Sequence, residues 1–275
     1  MVNSPNALFL PVEPGTRFCV SHPPADGSAR ERGVVYVHPF GEEMNKSRRM
    51  AALQCRRLAA AGYAVLQIDL YGCGDSAGGF ADARWPIWKR DVHAAVEWLR
   101  QRGSAAITLW GLRLGATLAA DVTRDGSAGV ERLVMWQPVV SGEQYLTQFL
   151  RLQLAAEMLS AGAAQSGVQE LRAALARGEM LEIGGYELHP ELALAIGSLK
   201  LAELIPAVNR VHWLDVTAQP EPRITPASQR VLDAWRAAGF AVDAAAVGGE
   251  PFWSTLEITG SEALLDATDA AMSRR

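Results

Sequence analysis

The amino-acid sequence predicts an α/β fold, in which helices cover both faces of a mostly parallel sheet. Strand-like and helix-like segments alternate over roughly the first half of the 275 residues. Residues 33–38 form a continuous apolar run, which is typical of a strand covered on both faces. At 109–116 a strand leads through a glycine-containing turn into a helix. These observations favour a single elaborated domain over residues 1–275.

The predicted elements begin with a hairpin and end with a helix. Glu13, Pro14 and Gly15 form the turn signal of the hairpin, and Gly62 ends the first helix. The predicted strands lie at 7–12, 16–21, 33–38, 64–69, 107–109, 130–140, 211–216 and 240–247. The predicted helices lie at 46–61, 85–102, 116–121, 142–177, 190–200, 227–238 and 261–272.

The alternation breaks after residue 140. Residues 141–205 are rich in alanine and leucine and read as mainly helical, with a short strand near 181–188. We expect this segment to form a cap over the carboxyl edge of the sheet, where α/β enzymes carry lids. The apolar side chains of Phe149, Leu152 and Leu159 pack on the sheet, cover an acyl chain or dock on a protein partner; the sequence leaves these three alternatives open.

Composition argues against several classes of protein. The net charge of −4 and the absence of a basic run argue against nucleic-acid binding and membrane-surface attachment. The three widely spaced cysteines lack metal-ligand spacing and indicate free thiols in a reducing compartment. Residues 1–10 do not read as a secretory signal, and no apolar stretch is long enough to span a membrane. We expect a cytoplasmic protein that uses no cofactor or metal.

The turn at 111–115 limits the available chemistry. Gly111 and Gly115 flank one central residue with the spacing of a nucleophile elbow, G-x-S-x-G, in which glycines permit a strained turn. The central residue here is Arg113. A guanidinium stays protonated, so it can neither attack a carbonyl nor act as a general base.

Three motifs together resemble the α/β-hydrolase superfamily: H-P-F-G at 38–41, D-x-x-G-x-G-x-S at 69–76, and the elbow. A narrower resemblance, to the exosortase A system-associated hydrolase type 2 family, rests on residues 72–76, 83–85, 109–115, 136–138, 147–151 and 184–188. The resemblance implies an α/β-hydrolase fold with a helical cap. It also implies a bacterial protein from loci that combine exopolysaccharide biosynthesis with the sorting of PEP-CTERM proteins.

A hydrolase of this fold needs an acid after a late strand and a histidine after the last strand. Glu221 fits the acid position, but residues 248–253 contain no histidine. We therefore predict that ordinary Ser-His-acid catalysis is unavailable. Cys73, between two glycines, is the alternative nucleophile if a cation such as Arg113 lowers the pKa of its thiol; otherwise it fills a tight turn. His38 either joins backbone donors beside the elbow or holds its own loop.

Arg113 itself predicts an anion site. A helix N-terminus and a guanidinium both favour a negative group, and a buried charge requires a partner. That partner is either an internal carboxylate (Glu42, Glu221 or Glu250) or the carboxylate or phosphate of a ligand. The residues expected to line the ligand site are Arg113, His38, Phe40, Leu112, Glu221 and Trp253.

Two functions of different class remain open from the sequence. One is a binding protein that recognises an anionic ligand through Arg113 and has no catalytic triad. The other is a hydrolase or acyltransferase that acts on an ester, thioester or glycan-derived substrate through a non-standard nucleophile.

Overall fold

The computed structural model describes residues 4–25, 31–161 and 167–273. Its strands are β1 (Asn6–Pro11), β2 (Thr16–His22), β3 (Arg32–Val37), β4 (Ala64–Ile68), β5 (Ala106–Leu112), β6 (Arg132–Trp136), β7 (Leu181–Ile183), β8 (Tyr186–Leu188), β9 (Arg210–Thr217) and β10 (Val242–Gly248). Its α-helices are α1 (Glu42–Ala60), α2 (Trp85–Arg100), α3 (Leu114–Thr123), α4 (Gly142–Ala161), α5 (Val168–Ala176), α6 (Pro190–Ser198), α7 (Pro226–Ala237) and α8 (Glu262–Ser273).

Eight of these strands form one sheet with the spatial order β1-β2-β4-β3-β5-β6-β9-β10. The pairs β1–β2 and β2–β4 are antiparallel, and every later pair in that order is parallel. The loops that follow β3, β4, β5 and β6 therefore meet at one edge of the sheet. This arrangement confirms the predicted α/β fold with a mostly parallel sheet.

The sheet is covered on both faces because its strands alternate two sets of apolar side chains. In β3, Val35 packs in a cluster with α2 and α3, whereas Tyr36 packs in a second cluster with α1 and α8. In β5, Leu109 packs in the first of these clusters and Trp110 in the second. The three cysteine thiols are buried and unbridged.

Several boundaries differ from those predicted. Helix α1 begins at Glu42, four residues before the predicted start, because Gly41 adopts a positive φ of 57° and the chain turns directly into the helix. Strand β6 ends at Trp136 instead of continuing to residue 140. The predicted helix over 142–177 is two helices, α4 and α5, and residues 162–166 between them lie outside the described part.

The segment between β6 and β9 packs against the carboxyl edge of the sheet. The rings of Phe40 and Phe149 lie 4.9 Å apart, and those of Phe80 and Tyr186 also lie 4.9 Å apart. Leu152 is largely exposed, and the side chain of Leu159 lies outside what the structure describes. Within the described ranges, no helix is both long and apolar enough to cross a bilayer. The same ranges contain no group of three or more His, Cys, Asp or Glu side chains placed to hold a metal ion.

Candidate functional site

The elbow joins β5 to α3 through Arg113, whose backbone has φ 55° and ψ −121°. An L-residue adopts this positive φ only where the surroundings impose it. The two flanking glycines allow the necessary close approach. A Cβ on Gly115 would collide with the carbonyl oxygen of His38, and one on Gly111 would lie 2.5 Å from the backbone of Ala116. The predicted elbow is present, with an arginine at its apex.

A second unusual backbone conformation lies beside the first. Gln137 has φ 42°, and it and Arg113 are the two non-glycine residues with positive φ in the described ranges. The Nη1 group of Arg113 donates to the carbonyl oxygen of Gln137 at 3.4 Å. The Gln137 side chain accepts a hydrogen bond from the amide of Val216 at 2.6 Å. Backbone strain of this kind concentrates at functional sites, so its presence here supports the elbow as the site.

The guanidinium of Arg113 is paired with a carboxylate from α1. Its Nε donates to Oε1 of Glu43 at 3.3 Å, and the hydroxyl of Tyr145 donates to Oε2 of the same carboxylate at 3.0 Å. The side chains of Arg113 and Glu43 retain only 17% and 19% of their exposure. One carboxylate therefore connects α1, the elbow and α4.

Two aromatic rings complete the surroundings of the guanidinium. Its central carbon lies 5.6 Å from the ring centre of Tyr145 and 5.4 Å from that of Trp253. Both distances are within the range in which an aromatic face attracts a cation. Both rings are almost fully buried. The positive charge is thus held, mostly buried, by one carboxylate, one backbone carbonyl and two rings.

Burial disfavours the ionised forms of Glu43 and Tyr145 in this cluster. It raises the pKa of Glu43, while Arg113 and the Tyr145 hydroxyl act in the opposite direction. Burial also raises the pKa of Tyr145 well above its usual range, and the Glu43 carboxylate adds to that shift. Tyr145 therefore stays protonated at neutral pH and acts as a donor, and the ionised form of Glu43 depends on its two partners.

Residues 28–205 match the profile of the family described as serine aminopeptidase S33, Hydrolase_4. This chain belongs to that family. Est1E from Butyrivibrio proteoclasticus, solved with ferulic acid bound, is 15% identical over 97% of this chain and 98% of its own, with a TM-score of 0.71. Proline iminopeptidase from Mycobacterium smegmatis is also 15% identical, over 97% of each chain, with a TM-score of 0.61. No curated protein sequence matches the chain. These structural likenesses show the α/β-hydrolase fold.

In this member of the S33 family, the internal partner of Arg113 is not one of the three carboxylates considered from the sequence. Glu221 is exposed and pairs with Arg223, and Glu250 is exposed. Glu42 is exposed and accepts a hydrogen bond from the hydroxyl of Tyr186 at 3.1 Å. The partner is Glu43, the next residue along α1.

His38 takes the second of its two expected roles. Its Nε2 lies 3.0 Å from the amide of Leu70, which can only donate, so Nε2 accepts. The proton is then on Nδ1, which donates to the carbonyl oxygen of Pro39 at 2.7 Å. Burial lowers the pKa of the imidazole and keeps it neutral. With both nitrogens engaged, His38 holds its loop and has no lone pair free to act as a general base.

Cys73 lacks the environment that a nucleophile requires. Burial raises the pKa of its thiol, and the carboxylates of Asp69 and Asp91 raise it further. The cation that opposes these effects is Arg48, not Arg113 as considered from the sequence. A thiol in this setting stays protonated and packs as a small apolar side chain.

Of the other residues expected to line the ligand site, some lie beside Arg113 and others lie in the core or in solvent. Trp253, expected to line the ligand site, has its ring centre 5.4 Å from the guanidinium carbon of Arg113. Phe40 is buried among the rings of Trp88, Tyr145 and Phe149, so it forms part of the wall beside the site. Leu112 is fully buried in the cluster on the α1 and α8 face, so its side chain does not reach a ligand at the elbow. Glu221 faces solvent.

Sequence reasoning missed two side chains at the centre of the cluster, Glu43 and Tyr145. A signal for Glu43 existed in α1, whose inward face carries Ser47, Met50 and Gln54 at helical spacing from it. An acidic residue on such a face faces the protein interior. No comparable signal marked Tyr145, because its position depends on how α4 folds back over the sheet.

Proposed function

We propose that this protein binds a small anionic ligand at Arg113 and that its elbow serves as a binding site instead of presenting a nucleophile. The observation that carries the proposal is the Arg113–Glu43 pair at the position from which hydrolases of this fold present their nucleophile. The guanidinium is largely buried, already holds a carboxylate, and is flanked by two aromatic rings. Anion recognition is the chemistry that such a group provides.

We also propose that the protein does not use the Ser-His-acid chemistry of ordinary hydrolases. Arg113 replaces the nucleophile, the loop at 248–253 has no histidine, and Glu221 is directed into solvent. The proposed ligand site consists of Arg113, Tyr145 and Trp253, with Phe40 in its wall. We assign residues 141–205 to a cap over this site. The sequence motifs further support membership of the bacterial exosortase A system and a role in exopolysaccharide production, and the composition and widely spaced cysteines support a cytoplasmic location.

Thermal unfolding in the presence of small anions tests the proposal. The probes are benzoate, ferulate and inorganic phosphate; ferulate is included because Est1E was solved with ferulic acid. A ligand at a hundred times its dissociation constant stabilises the folded state by about 2.7 kcal/mol. At least one probe should raise the melting temperature of the wild type. The shift should vanish in Arg113→Gln and persist in the matched control Arg84→Gln, which alters an arginine paired with exposed Glu191. Equal shifts in all three proteins, or no shift with any probe, would refute the proposal.

A second candidate is a hydrolase or acyltransferase, which membership of the S33 family favours. Cys73 is the nucleophile that it would use. We expect no turnover of nitrophenyl esters or acyl thioesters above background by the wild type, because the Cys73 thiol is protonated and the His38 imidazole is occupied. Arg113→Ser should also be inactive, since no imidazole would activate the serine. Turnover that Cys73→Ala abolishes would replace the binding proposal with this candidate.

A further inference from the structure

We infer that the ligand is a monocarboxylate that takes the place of the Glu43 side chain, so that Glu43 acts as an internal competitor for Arg113. This inference rests on the proposed anion site and adds the chemical class of its ligand. It begins from the fact that the site is already occupied by a carboxylate of the protein itself.

The donors around the Glu43 carboxylate define the shape of the group they accept. Arg113 donates to one oxygen and Tyr145 to the other, at 3.3 and 3.0 Å. Two donors that approach the two oxygens of one planar group suit a carboxylate, which has acceptor sites on both oxygens and no donor of its own when ionised. A ligand carboxylate satisfies the same two donors without moving either.

The charge of the cluster also favours a monoanion. Arg113 and Glu43 carry one charge each and are mostly buried. Lys46 lies close enough to lower the pKa of Glu43, but its ammonium is directed to the carbonyl oxygen of Ser254 at 3.5 Å. One carboxylate in place of Glu43 leaves the cluster neutral. A phosphate dianion would bring a second negative charge into a site that excludes most water, which is unfavourable without a second paired cation.

Glu43 keeps part of its electrostatic stabilisation when it leaves the cluster. It is the second residue of α1, where the partial positive charge of the helix N-terminus stabilises a carboxylate. Burial raises the pKa of Glu43, so the ionised side chain is poorly solvated in its present position and gains solvation when it moves to water. The rings of Tyr145 and Trp253 remain to contact an apolar body attached to the ligand carboxylate.

Titration calorimetry with benzoate and phenyl phosphate tests this inference in wild type, Glu43→Gln and Glu42→Gln. Glu42 is the matched control because it is adjacent in the chain and bonds to Tyr186 instead of Arg113. If Glu43 holds Arg113 for about nine-tenths of the time, its removal tightens benzoate binding about tenfold. Glu42→Gln should bind benzoate with wild-type affinity, and benzoate should bind more tightly than phenyl phosphate in every variant.

Tyr145→Phe, made in the Glu43→Gln protein, is the second variant. It removes one hydrogen bond to the bound carboxylate and should weaken benzoate binding by roughly three- to tenfold. Far-ultraviolet circular dichroism and melting curves establish that each variant is folded. Glu43→Ala takes the place of Glu43→Gln if the glutamine variant does not fold.

The possible failures are distinguishable. Unchanged or weaker benzoate binding on removal of the Glu43 charge would overturn the role of Glu43 as a competitor. Tighter binding of phenyl phosphate would overturn the carboxylate class while the proposed anion site stands. If neither probe binds the wild type or the Glu43 variants, both the inference and the proposed function are wrong.

Discussion

A double-mutant cycle on Arg113 and Glu43 examines the pair on which the proposed site depends. The variants are Arg113→Met, Glu43→Gln and the double substitution. Breaking one side of a fully buried ion pair costs about 3–5 kcal/mol. The side chains here keep 17% and 19% of their exposure, and Glu43 keeps its bond to Tyr145. We therefore expect Arg113→Met to lower the free energy of unfolding by about 2–3 kcal/mol and Glu43→Gln by about 1–2 kcal/mol.

The double variant should lose far less than the sum of these values, because it leaves no buried charge without a partner. We expect a coupling energy of about 1–3 kcal/mol. Urea unfolding at pH 7 provides the measurement, with unchanged m-values required for each comparison. The exposed pair Lys200 and Glu203 is the control cycle, in which the coupling should stay below about 1 kcal/mol.

Urea unfolding at a series of pH values tests whether the unpaired charge of Glu43 causes the loss of stability in Arg113→Met. Burial raises the pKa of Glu43, and the loss of Arg113 raises it further. In the Arg113→Met protein, Glu43 therefore has a higher pKa in the folded state than in the unfolded state. As the pH falls, its carboxylate takes up a proton first in the folded protein. The penalty of Arg113→Met should shrink with falling pH. Additivity of the two single variants to within about 0.5 kcal/mol would refute the pairing on which the site is built.

Three further predictions concern the scaffold around the site. Asp91→Asn should cost about 3–5 kcal/mol in urea unfolding, because it leaves the guanidinium of Arg17, 2.7 Å from Asp91 and fully buried, without its counter-charge; a loss under about 1 kcal/mol would contradict this. Gly115→Ala should cost about 1–3 kcal/mol by the same measurement, since its Cβ meets the backbone of His38; wild-type stability would show that the elbow relaxes. Burial lowers the pKa of His38, so its contribution to stability is fully present above the unfolded value of 6.5 and is lost as pH falls toward the lower folded value, by at most about 1.4 kcal/mol per pH unit. His38→Gln should therefore lose less stability than wild type between pH 7 and 5 in thermal melts, and equal losses would assign the effect to other groups.

The sequence was sufficient for the parts of the fold that depend on local pattern. The continuous apolar run of β3 and the glycine spacing around Arg113 follow from burial on two faces and from close backbone approach, and both are read directly from residue types. Chain order places the loop that contains Trp253 near the elbow, because the loop after the last strand returns there in this fold. That the ring of Trp253 lies beside the guanidinium is an observation of the structure.

The partner of Arg113 could be inferred only in part from local pattern. Glu42 and Glu43 differ by about 100° around the helix axis, and the buried positions Ser47 and Met50 place Glu43 on the inward face of α1. The predicted helix starts at residue 46 and leaves both glutamates outside it, whereas the positive φ of Gly41 lets α1 begin at Glu42. Tyr145 reaches the same carboxylate only because α4 packs across the sheet edge, a contact between residues about one hundred positions apart. The hydrogen bond that His38 accepts from the amide of Leu70 likewise depends on the loop that follows β4.

The contact of one carboxylate with three separate segments has a mechanical consequence. Glu43 fixes the start of α1 to the elbow on one side and to α4 on the other. Displacements of α4 are therefore transmitted to the first turn of α1 and to the backbone of Arg113 for as long as both hydrogen bonds persist. If a ligand displaced Glu43 as proposed, α1, the elbow and α4 would lose this shared attachment point, and α4 would move more independently of α1.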